Sequence, residues 1–173
     1  VNPGFEVLTV SRPIVMAGTA GTYTIRSSKT TYGGGLAPRN KTINWTGGVT
    51  GSNSLYIENV TDGSYGDDHI QFSTGAINMT GKLIHTGAGT GTATIDSVIG
   101  ANVTEVIQNS ANSKLILGAA NLYSGNTTVT AGTLELNHVD ALQNSTLDTG
   151  ASGSQQVTFT VTNDTTGVKE KTT

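Results

Sequence analysis

Short runs that alternate apolar and polar residues recur along the chain, and they restrict its fold more than any other feature. Residues 133–136 (TLEL) and 157–161 (VTFTV) show the pattern most clearly, with an apolar side chain at every second position. Such alternation is typical of strands with one buried face and one hydrated face. No segment keeps apolar residues at helical spacing for more than a turn. The chain is therefore predicted to be all-β.

The other strand-like runs are short, and Gly, Asn, Asp or Ser separates each from the next. Their centres lie mostly about 9 to 14 residues apart, a spacing typical of a sandwich, a barrel or a β-helix. These further strands are predicted at residues 22–26, 42–45, 54–60, 69–73, 82–85, 92–97, 104–108, 114–117, 127–130 and 146–148.

The small share of aromatic residues helps to distinguish a sandwich from a β-helix. A sandwich usually packs several large aromatic side chains between its sheets. A stack of parallel coils is satisfied by Val, Ile, Leu, Ala and Thr, and its turns favour Gly and Asn. With 5% aromatic residues and 23 Gly, the composition favours the stack. A parallel β-helix is predicted, with a β-sandwich as the alternative.

Charge and composition exclude several functional classes. The net charge of −3 and the lack of a clustered basic face argue against a nucleic-acid partner. The absence of Cys excludes a disulfide scaffold and thiol-bound metals. No apolar run reaches the roughly 20 residues of a transmembrane helix. The chain begins with Val1 and shows no leader pattern, so it is expected to be a mature or excised sequence.

A more specific pattern extends from Leu115 through Leu142 and reads LILGAANLYSGNTTVTAGTLELNHVDAL. It resembles the passenger-associated transport repeat, also called the autotransporter-associated β-strand repeat. Residues 92–108 resemble the coil that commonly precedes this repeat, whereas Ser113 and Lys114 replace the usual Gly before its first strand. The matching positions are Leu115, Leu117, Gly118, Asn121, Tyr123, Gly125, Thr127 or Thr128, Val129, Gly132, Thr133, Leu134, Leu136, Ala141 and Leu142.

The resemblance implies a right-handed parallel β-helix that is a non-enzymatic, extracellular passenger at a bacterial cell surface, without a cofactor. It also implies secretion through an outer-membrane β-barrel translocator that is absent from this chain. Residues 1–70 are then a β-rich N-terminal segment, 71–156 hold the coils with the repeat at about 92–142, and 157–173 are a cut strand and polar tail. The alternatives are a surface adhesin or module that binds glycans or host proteins, and a polysaccharide-degrading β-helix enzyme.

The residues between the predicted strands of the repeat are interpreted as structural. Gly118, Gly125 and Gly132 each end a strand-like run, so they are predicted to form corners of a coiled ribbon. Asn121 is expected to bond to its own turn or to join a stacked polar ladder. The ring of Tyr123 is expected to cover a corner, with its hydroxyl group in solvent.

Asp62, Asp67 and Asp68 form an acidic cluster that ends at His69. Adjacent carboxylates serve as acid and base in glycoside hydrolysis, and Gly66-Asp67-Asp68 is similar to an element of β-helix pectinases. The partner motifs of those enzymes are not found. The three carboxylates are also candidate calcium ligands, although their spacing matches no known calcium loop. A solvated loop of turn-forming residues is the favoured interpretation.

The three histidines, His69, His85 and His138, are widely separated along the chain. They are predicted to be solvent-facing strand residues rather than ligands of one zinc ion. The glycines at 33–35 have no helix pattern behind them, so they are interpreted as a loop and not as a nucleotide-binding turn.

Overall fold

A computed structural model describes residues 6–18, 21–27, 41–60, 68–150 and 155–160 of the chain. Every regular element in these ranges is a β-strand, and none is a helix. The all-β prediction is therefore confirmed for the described residues. The strands are β1 (Glu6–Val10), β2 (Ile14–Met16), β3 (Tyr23–Arg26), β4 (Lys41–Trp45), β5 (Val49–Gly51), β6 (Leu55–Glu58), β7 (Asp68–Phe72), β8 (Gly81–Thr86), β9 (Ala93–Ile95), β10 (Val103–Leu117), β11 (Asn126–Leu136), β12 (Leu147–Asp148) and β13 (Gln156–Phe159).

All pairings between the described strands are parallel, and the strands stack in columns. The first column contains β1, β4, β7, β9, residues 114–117 of β10, residues 133–136 of β11, and β13. The third column contains β3, β6, β8, the first part of β10, the first part of β11, and β12. Because β4 pairs with β7 and β6 with β8, described strands on both sides of residue 70 share one sheet.

A second, shorter column lies between the other two in chain order. It pairs β2 with β5 and continues through single bridges from Val49 to Ile77 and from Ile77 to Ile99. One passage of the chain through the three columns is called a coil below. Each coil therefore makes its strand pairs with the coil before it and the coil after it.

Strands β10 and β11 run through both the third and the first column, and they join these columns into one curled, eleven-stranded sheet. The register between them shifts between Asn109 and Lys114, where the chain bends. Residues 104–108 and 114–117 therefore belong to one strand, β10, and residues 127–130 and 133–136 belong to one strand, β11, so the prediction of separate strands is wrong for both pairs. A bulge lets a strand change direction while its main chain resumes pairing a few residues later.

Two ladders of apolar side chains fill the inner side of the first column. In one ladder the successive register partners are Trp45, Phe72, Ile95, Leu117 and Leu136, and the middle three have no exposed surface. Each side chain, or rung, of the ladder is thus covered by the side chains before and after it in the column, so the core needs few large aromatic side chains. The adjacent ladder contains Ile43, Ile70, Ala93, Leu115 and Leu134.

Most of the predicted strands are confirmed, with boundaries that differ by a residue or two. Strands β1, β2 and β5 are missed. In β1 the neighbouring residues Val7 and Leu8 are both exposed, at 59% and 63%, so burial does not alternate there. Strand β5 has only three residues and ends at Gly51. The purely parallel pairing does not fit the alternative β-sandwich, which is built from antiparallel sheets.

Candidate functional site

The corner between the third and first columns, called the III–I corner below, carries connections of unequal length. The chain crosses it between β3 and β4, between β6 and β7, between β8 and β9, inside β10 and β11, and between β12 and β13. The first two crossings, residues 27–40 and 59–67, are the longest, and β11 crosses at a single residue, Gly132. In stacked repeats, insertions of unequal length lie on one edge, which is often the binding edge. The III–I corner is therefore the candidate site.

The predicted acidic cluster lies on the crossing into β7. Asp62 and Asp67 lie outside the described residues, as do the glycines at 33–35. Asp68 is the first residue of β7 and is 8% exposed, and its main-chain oxygen accepts a hydrogen bond from Asn59 Nδ2 at 3.0 Å. The described part of the cluster is thus buried, where a solvated loop is predicted. The reason is that Asp68 shares the inward-facing side of β7 with Ile70.

A network of buried polar side chains at the III–I corner has His85 at its centre. His85 Nδ1 lies 2.5 Å from Gln108 Oε1, and Nε2 lies 2.9 Å from Asn59 Oδ1 and 3.1 Å from Ser113 Oγ. Asn59 follows β6, His85 belongs to β8, and Gln108 and Ser113 belong to β10. One imidazole ring therefore joins three consecutive coils.

The prediction that His85 faces solvent is wrong. His85 is 0% exposed, because it occupies an inward position of β8 between its register partners Ile57 and Gln108. The sequence carries a signal for this position. This signal is ambiguous, because alternation places His85 on the face of Leu83, but the neighbouring Ile84 is also apolar and buried, so the sequence does not say which face is inside. In β10, Gln108 comes two residues after the buried Val106, and the alternation along the strand places both side chains inside.

Main-chain oxygens fix the orientation of both carboxamides that face His85. Gln108 Nε2 donates to Ser110 O at 3.1 Å and to Ser113 O at 2.8 Å, and Asn59 Nδ2 donates to the main-chain oxygen at the start of β7. The oxygen atom of each carboxamide therefore faces the ring. A neutral imidazole donates from one nitrogen only, so one of these oxygens faces a nitrogen lone pair. Only the imidazolium form donates to both.

Burial decides the charge state of His85. Desolvation lowers the pKa of His85 to about 4, and the hydrogen bond to Gln108 opposes this shift. A hydrogen bond to a charged group contributes about 1.5 to 3 kcal/mol. Removing an ion from water costs several kcal/mol, which is the larger effect. His85 is therefore neutral at neutral pH.

Ser113, His85 and Gln108 stand in the order of a nucleophile, a base and an orienting group. However, Ser113 Oγ donates its proton to Gly91 O, which leaves none to donate to His85. The three side chains are at most 3% exposed, so an external substrate does not reach them. This geometry suits a structural network that satisfies main-chain groups of neighbouring coils.

The other two histidines lie apart from this network, and both are half-buried. His69 Nδ1 accepts a hydrogen bond from Thr92 N, and His138 Nδ1 accepts one from Asp140 N, both at 3.0 Å. In the part of the chain that the structure describes, no three His, Asp, Glu or Cys side chains are close enough to hold a metal ion. The described residues therefore do not bring the three histidines together.

The residues of the predicted repeat lie on β10, on β11 and on the segment between them. Thr128 Oγ1 faces outward and donates to Glu105 Oε1 at 3.0 Å, and Thr133 faces outward beside Gln156. The alternation predicted for residues 133–136 is confirmed by the burial pattern of β11. The buried aliphatic residues of the repeat, all at most 4% exposed, are Leu115, Leu117, Val129, Leu134, Leu136 and Ala141.

The three glycines of the repeat occupy different positions relative to the strands. Gly118 directly follows β10, as predicted, but Gly125 directly precedes β11 and so begins a strand rather than ending one. Gly132 lies inside β11 with a φ of 73°. A Cβ atom would lie 1.8 Å from Thr104 O at Gly125 and 1.9 Å from Ser110 O at Gly132. Close approach of the preceding coil therefore requires glycine at both positions.

Asn121 connects the coils on both sides of it and is 1% exposed. Its Oδ1 accepts a hydrogen bond from Ile99 N at 2.8 Å, and its Nδ2 donates to Ala141 O at 3.0 Å. From the following coil, Gln143 Nε2 donates to Asn121 O at 2.8 Å. Of the two expectations for Asn121, the stacked polar contact is therefore the one observed.

Tyr123 is buried at 1% exposure, and its hydroxyl group lies inside the protein. Tyr123 Oη is 2.6 Å from Thr127 Oγ1, which is 2.7 Å from Ser145 Oγ. Burial raises the pKa of Tyr123. The prediction that the hydroxyl group reaches solvent is wrong, because Thr127 and Ser145 supply hydrogen-bond partners in the interior.

Searches of protein-family models, curated proteins and solved structures find no match to this chain. The described residues contain no helix with the length and apolar character needed to cross a membrane. The function of this chain is therefore inferred from its residues and from the geometry of the structure.

Proposed function

We propose that this chain is a non-enzymatic, extracellular segment of a bacterial autotransporter-like passenger. In this proposal its coils form a right-handed parallel β-helical stalk, and their folding assists secretion through an outer-membrane β-barrel translocator outside this chain. The observation that carries the proposal is the in-register stacking of parallel coils, in which Leu115 pairs with Ala93 on one side and Leu134 on the other. The resemblance of residues 115–142 to the transport repeat supports the same class.

Stacked coils provide a physical reason why folding would assist export. Each coil that emerges finds a preformed strand edge, and it buries its apolar rung against the rung already in place. Leu134 makes such contacts, since it pairs with Leu115 before it and Val157 after it and has no exposed surface. Every added coil therefore lowers the free energy of the emerged chain, which opposes backward movement through the translocator.

The burial of those candidate catalytic groups that the structure describes supports a non-enzymatic role. Asp68 is 8% exposed at the start of β7, where its main-chain oxygen binds Asn59. The Ser113, His85 and Gln108 side chains are sealed inside the coils. A polysaccharide-degrading activity would require accessible acid and base groups. It is the less favoured alternative for this reason.

Surface display of the chain fused to an outer-membrane translocator barrel tests the proposal. Two neighbouring positions provide a matched pair, because Leu134 faces inward with 0% exposure and Thr133 faces outward. We expect the wild type and the Thr133→Asp variant to reach the surface and to resist added protease. We expect Leu134→Asp to stay trapped or to be degraded, because it places a charge in the stack. Equal display and equal protease resistance of the two variants would contradict folding-assisted secretion.

A second candidate function is adhesion to surface glycans or host proteins, and the III–I corner favours it. The two longest crossings, residues 27–40 and 59–67, belong to consecutive coils and so leave the sheet at the same edge. A glycan array and a host-cell binding assay test this function. The matched variant replaces residues 61–67 with a Gly-Ser segment of equal length. Loss of signal in the variant would support adhesion at this corner, whereas wild-type signal at background level would exclude it.

A further inference from the structure

The first column has a strand with an open edge at each of its two ends. Among the described strands, β1 pairs only with β4, and β13 pairs only with β11. Each of them therefore has one edge that no described strand covers, and such an edge is a template for a further strand. Because all pairings are parallel, the open edge of β13 has the hydrogen-bonding pattern that matches the open edge of β1.

Inward-facing apolar side chains are also exposed at both of these edges. Leu8 extends the ladder that contains Ile70, and it is 63% exposed. Phe159 extends the ladder that contains Leu117 and Leu136, and it is 68% exposed. Ile70 and Leu117, which have a coil on each side, have no exposed surface. The two ends of the column thus expose the kind of apolar surface that adjacent coils bury against each other.

The third column is open at the same two ends. In the described part of the chain, β3 bonds only to β6 and β12 only to β11. The inward side chains of these strands, Tyr23 and Ile25 on β3 and Leu147 on β12, are only half-buried. An occupant that covers either end completely must therefore bring two parallel strands with the spacing of the first and third columns.

The two edge strands of the first column lack the features that usually prevent association. Strands that must stay unpaired commonly carry Lys, Pro or a bulge. Strand β13 reads QVTF and has no charged residue and no Pro. Strand β1 reads EVLTV, and its one charged residue, Glu6, is at its first position. Neither sequence therefore opposes the addition of a strand.

The charges of the described residues are complementary between the two ends. The coil that contains β1 and β3 has two exposed arginines, Arg12 and Arg26, against the single Glu6. The coil that ends in β13 has two exposed aspartates, Asp140 and Asp148, and its described residues include no Lys or Arg. One end therefore has an excess of positive charge and the other an excess of negative charge.

We propose that the two ends bind each other between copies of this chain, so that β13 of one copy pairs in parallel with β1 of the next. The register within the chain sets the contacts, because Val157 lies in the same row of the column as Leu8, and Phe159 in the same row as Val10. Because the two ends differ, the contact is head-to-tail and repeats, which produces filaments rather than closed pairs. This inference is independent of secretion and of the translocator.

A second copy fits the edge of β13 better than the following segment of the same chain does. Residues 161–173 contain two apolar residues, seven positions apart, and four charged residues. They do not offer apolar side chains at alternate positions, which a strand that covers Val157 and Phe159 requires. Strand β1 offers this alternation through Leu8 and Val10, and the same copy brings β3 at the matching place in the third column.

Sedimentation of the purified chain over a wide range of concentration tests the proposal. We expect the average mass of the wild type to rise with concentration beyond that of two chains. Leu8→Lys places a charge at the β1 end and Phe159→Lys places one at the β13 end, so each variant alone should remain a single chain. The matched control is Leu122→Lys, because Leu122 is 53% exposed but lies between β10 and β11, and this variant should associate like the wild type.

An equal mixture of the two end variants tests the head-to-tail geometry. Each mixed pair has one intact β13 edge and one intact β1 edge, so the mixture should form dimers and nothing longer. Dimers of either end variant alone would contradict this geometry, because they would require a symmetric contact. A wild type that remains a single chain at every concentration, or a Leu122→Lys control that fails to associate, would overturn the proposal.

Amide hydrogen exchange of the wild type provides a measurement that needs no substitution. We expect amides of β1 and β13 to become more protected as the concentration rises. Amides of β9, which has a strand on each side, should not change. If β13 is already fully protected in dilute solution, a segment of the same chain covers this edge, and the proposal is wrong.

Discussion

The carboxamide oxygen of Asn121 accepts a hydrogen bond from the main-chain N–H of Ile99 at 2.8 Å. Ile99 forms a strand bridge to Ile77 in the preceding coil, and its carbonyl oxygen accepts a bond from Leu122 N in the following coil. The Asn121 side chain thus replaces a strand partner at the end of the second column. Without it, a main-chain donor would be buried and unpaired, which is rare in folded proteins.

Replacement of Asn121 by Ala is therefore expected to destabilise the protein. It removes the partners of Ile99 N and Ala141 O together, and each unpaired buried group costs about 1 to 3 kcal/mol. We expect a loss of about 3 kcal/mol in the free energy of unfolding, measured by urea titration. The control is Asn137→Ala, because Asn137 is exposed, and this change should have little effect. Similar losses in the two variants would argue against the bridging role of Asn121.

Gly132 and Gly150 provide a test of the close approach between coils. Both have positive φ, 73° and 65°, but a Cβ would meet Ser110 O at 1.9 Å in the first case and nothing nearer than 3.8 Å in the second. Gly150→Ala should cost about 1 to 2 kcal/mol for its backbone conformation alone. Gly132→Ala should cost clearly more, because the main chain of one coil has to move. Thermal unfolding of the two variants compares these losses, and equal shifts in Tm would show that the contact does not matter.

The ladder of side chains in the first column predicts that replacing Phe by Ala lowers the free energy of unfolding by different amounts at two positions. Phe72 is 0% exposed between Trp45 and Ile95, whereas Phe159 is 68% exposed beside Leu136. Phe72→Ala should lose about 3 to 5 kcal/mol, because it leaves a cavity inside the stack. Phe159→Ala should change the free energy of unfolding by less than about 1 kcal/mol. Urea titrations of both variants check the difference, and a large loss at Phe159 would mean that this side chain is covered in solution.

Glu105 is expected to make the stability of the protein depend on acid pH. Its hydrogen bond with Lys82 holds the pKa of Glu105 below its usual value of 4.5, and Thr128 adds a further hydrogen bond. A lowered folded pKa means that the stabilisation is present above pH 4.5 and is lost as the pH falls below it. The wild type should therefore be slightly more stable than Glu105→Gln at pH 7. Unfolding midpoints at pH 7 and pH 3, in low and high salt, should show this advantage shrinking with acid and with salt, since the pair faces solvent. An advantage that persists at pH 3 would contradict the assignment.

The strands could largely be predicted, because the alternation of apolar and polar residues is visible within a few neighbouring positions of the sequence. In β7 the inward positions of Ile70 and Phe72, and in β11 those of Leu134 and Leu136, follow directly from the order of residue types. The same rule failed in β1, where Val7 and Leu8 are both exposed at the edge of the described sheet.

The contacts of the site could not be predicted, because they depend on which distant strand is the neighbour. The Arg26 side chain donates a hydrogen bond to Glu58, 32 positions away, and the Asn121 side chain donates one to Ala141, 20 positions away. These separations change with the length of each crossing, and residue types alone do not set them. His85 shows the effect: the alternation in its strand leaves its face ambiguous, and its partners Asn59 and Gln108 emerge only when the register of three coils is known.

The parallel columns also determine how this protein would carry mechanical load. Strands β1 and β13 lie at opposite ends of the first column, and the hydrogen bonds between neighbouring coils run along that column. Tension applied between these ends pulls along the hydrogen bonds in series and peels one coil at a time, rather than shearing many bonds together. A single-molecule extension trace should therefore rise in separate steps. The steps should be longest for the coils that contain residues 27–40 and 59–67, because those coils store the most chain.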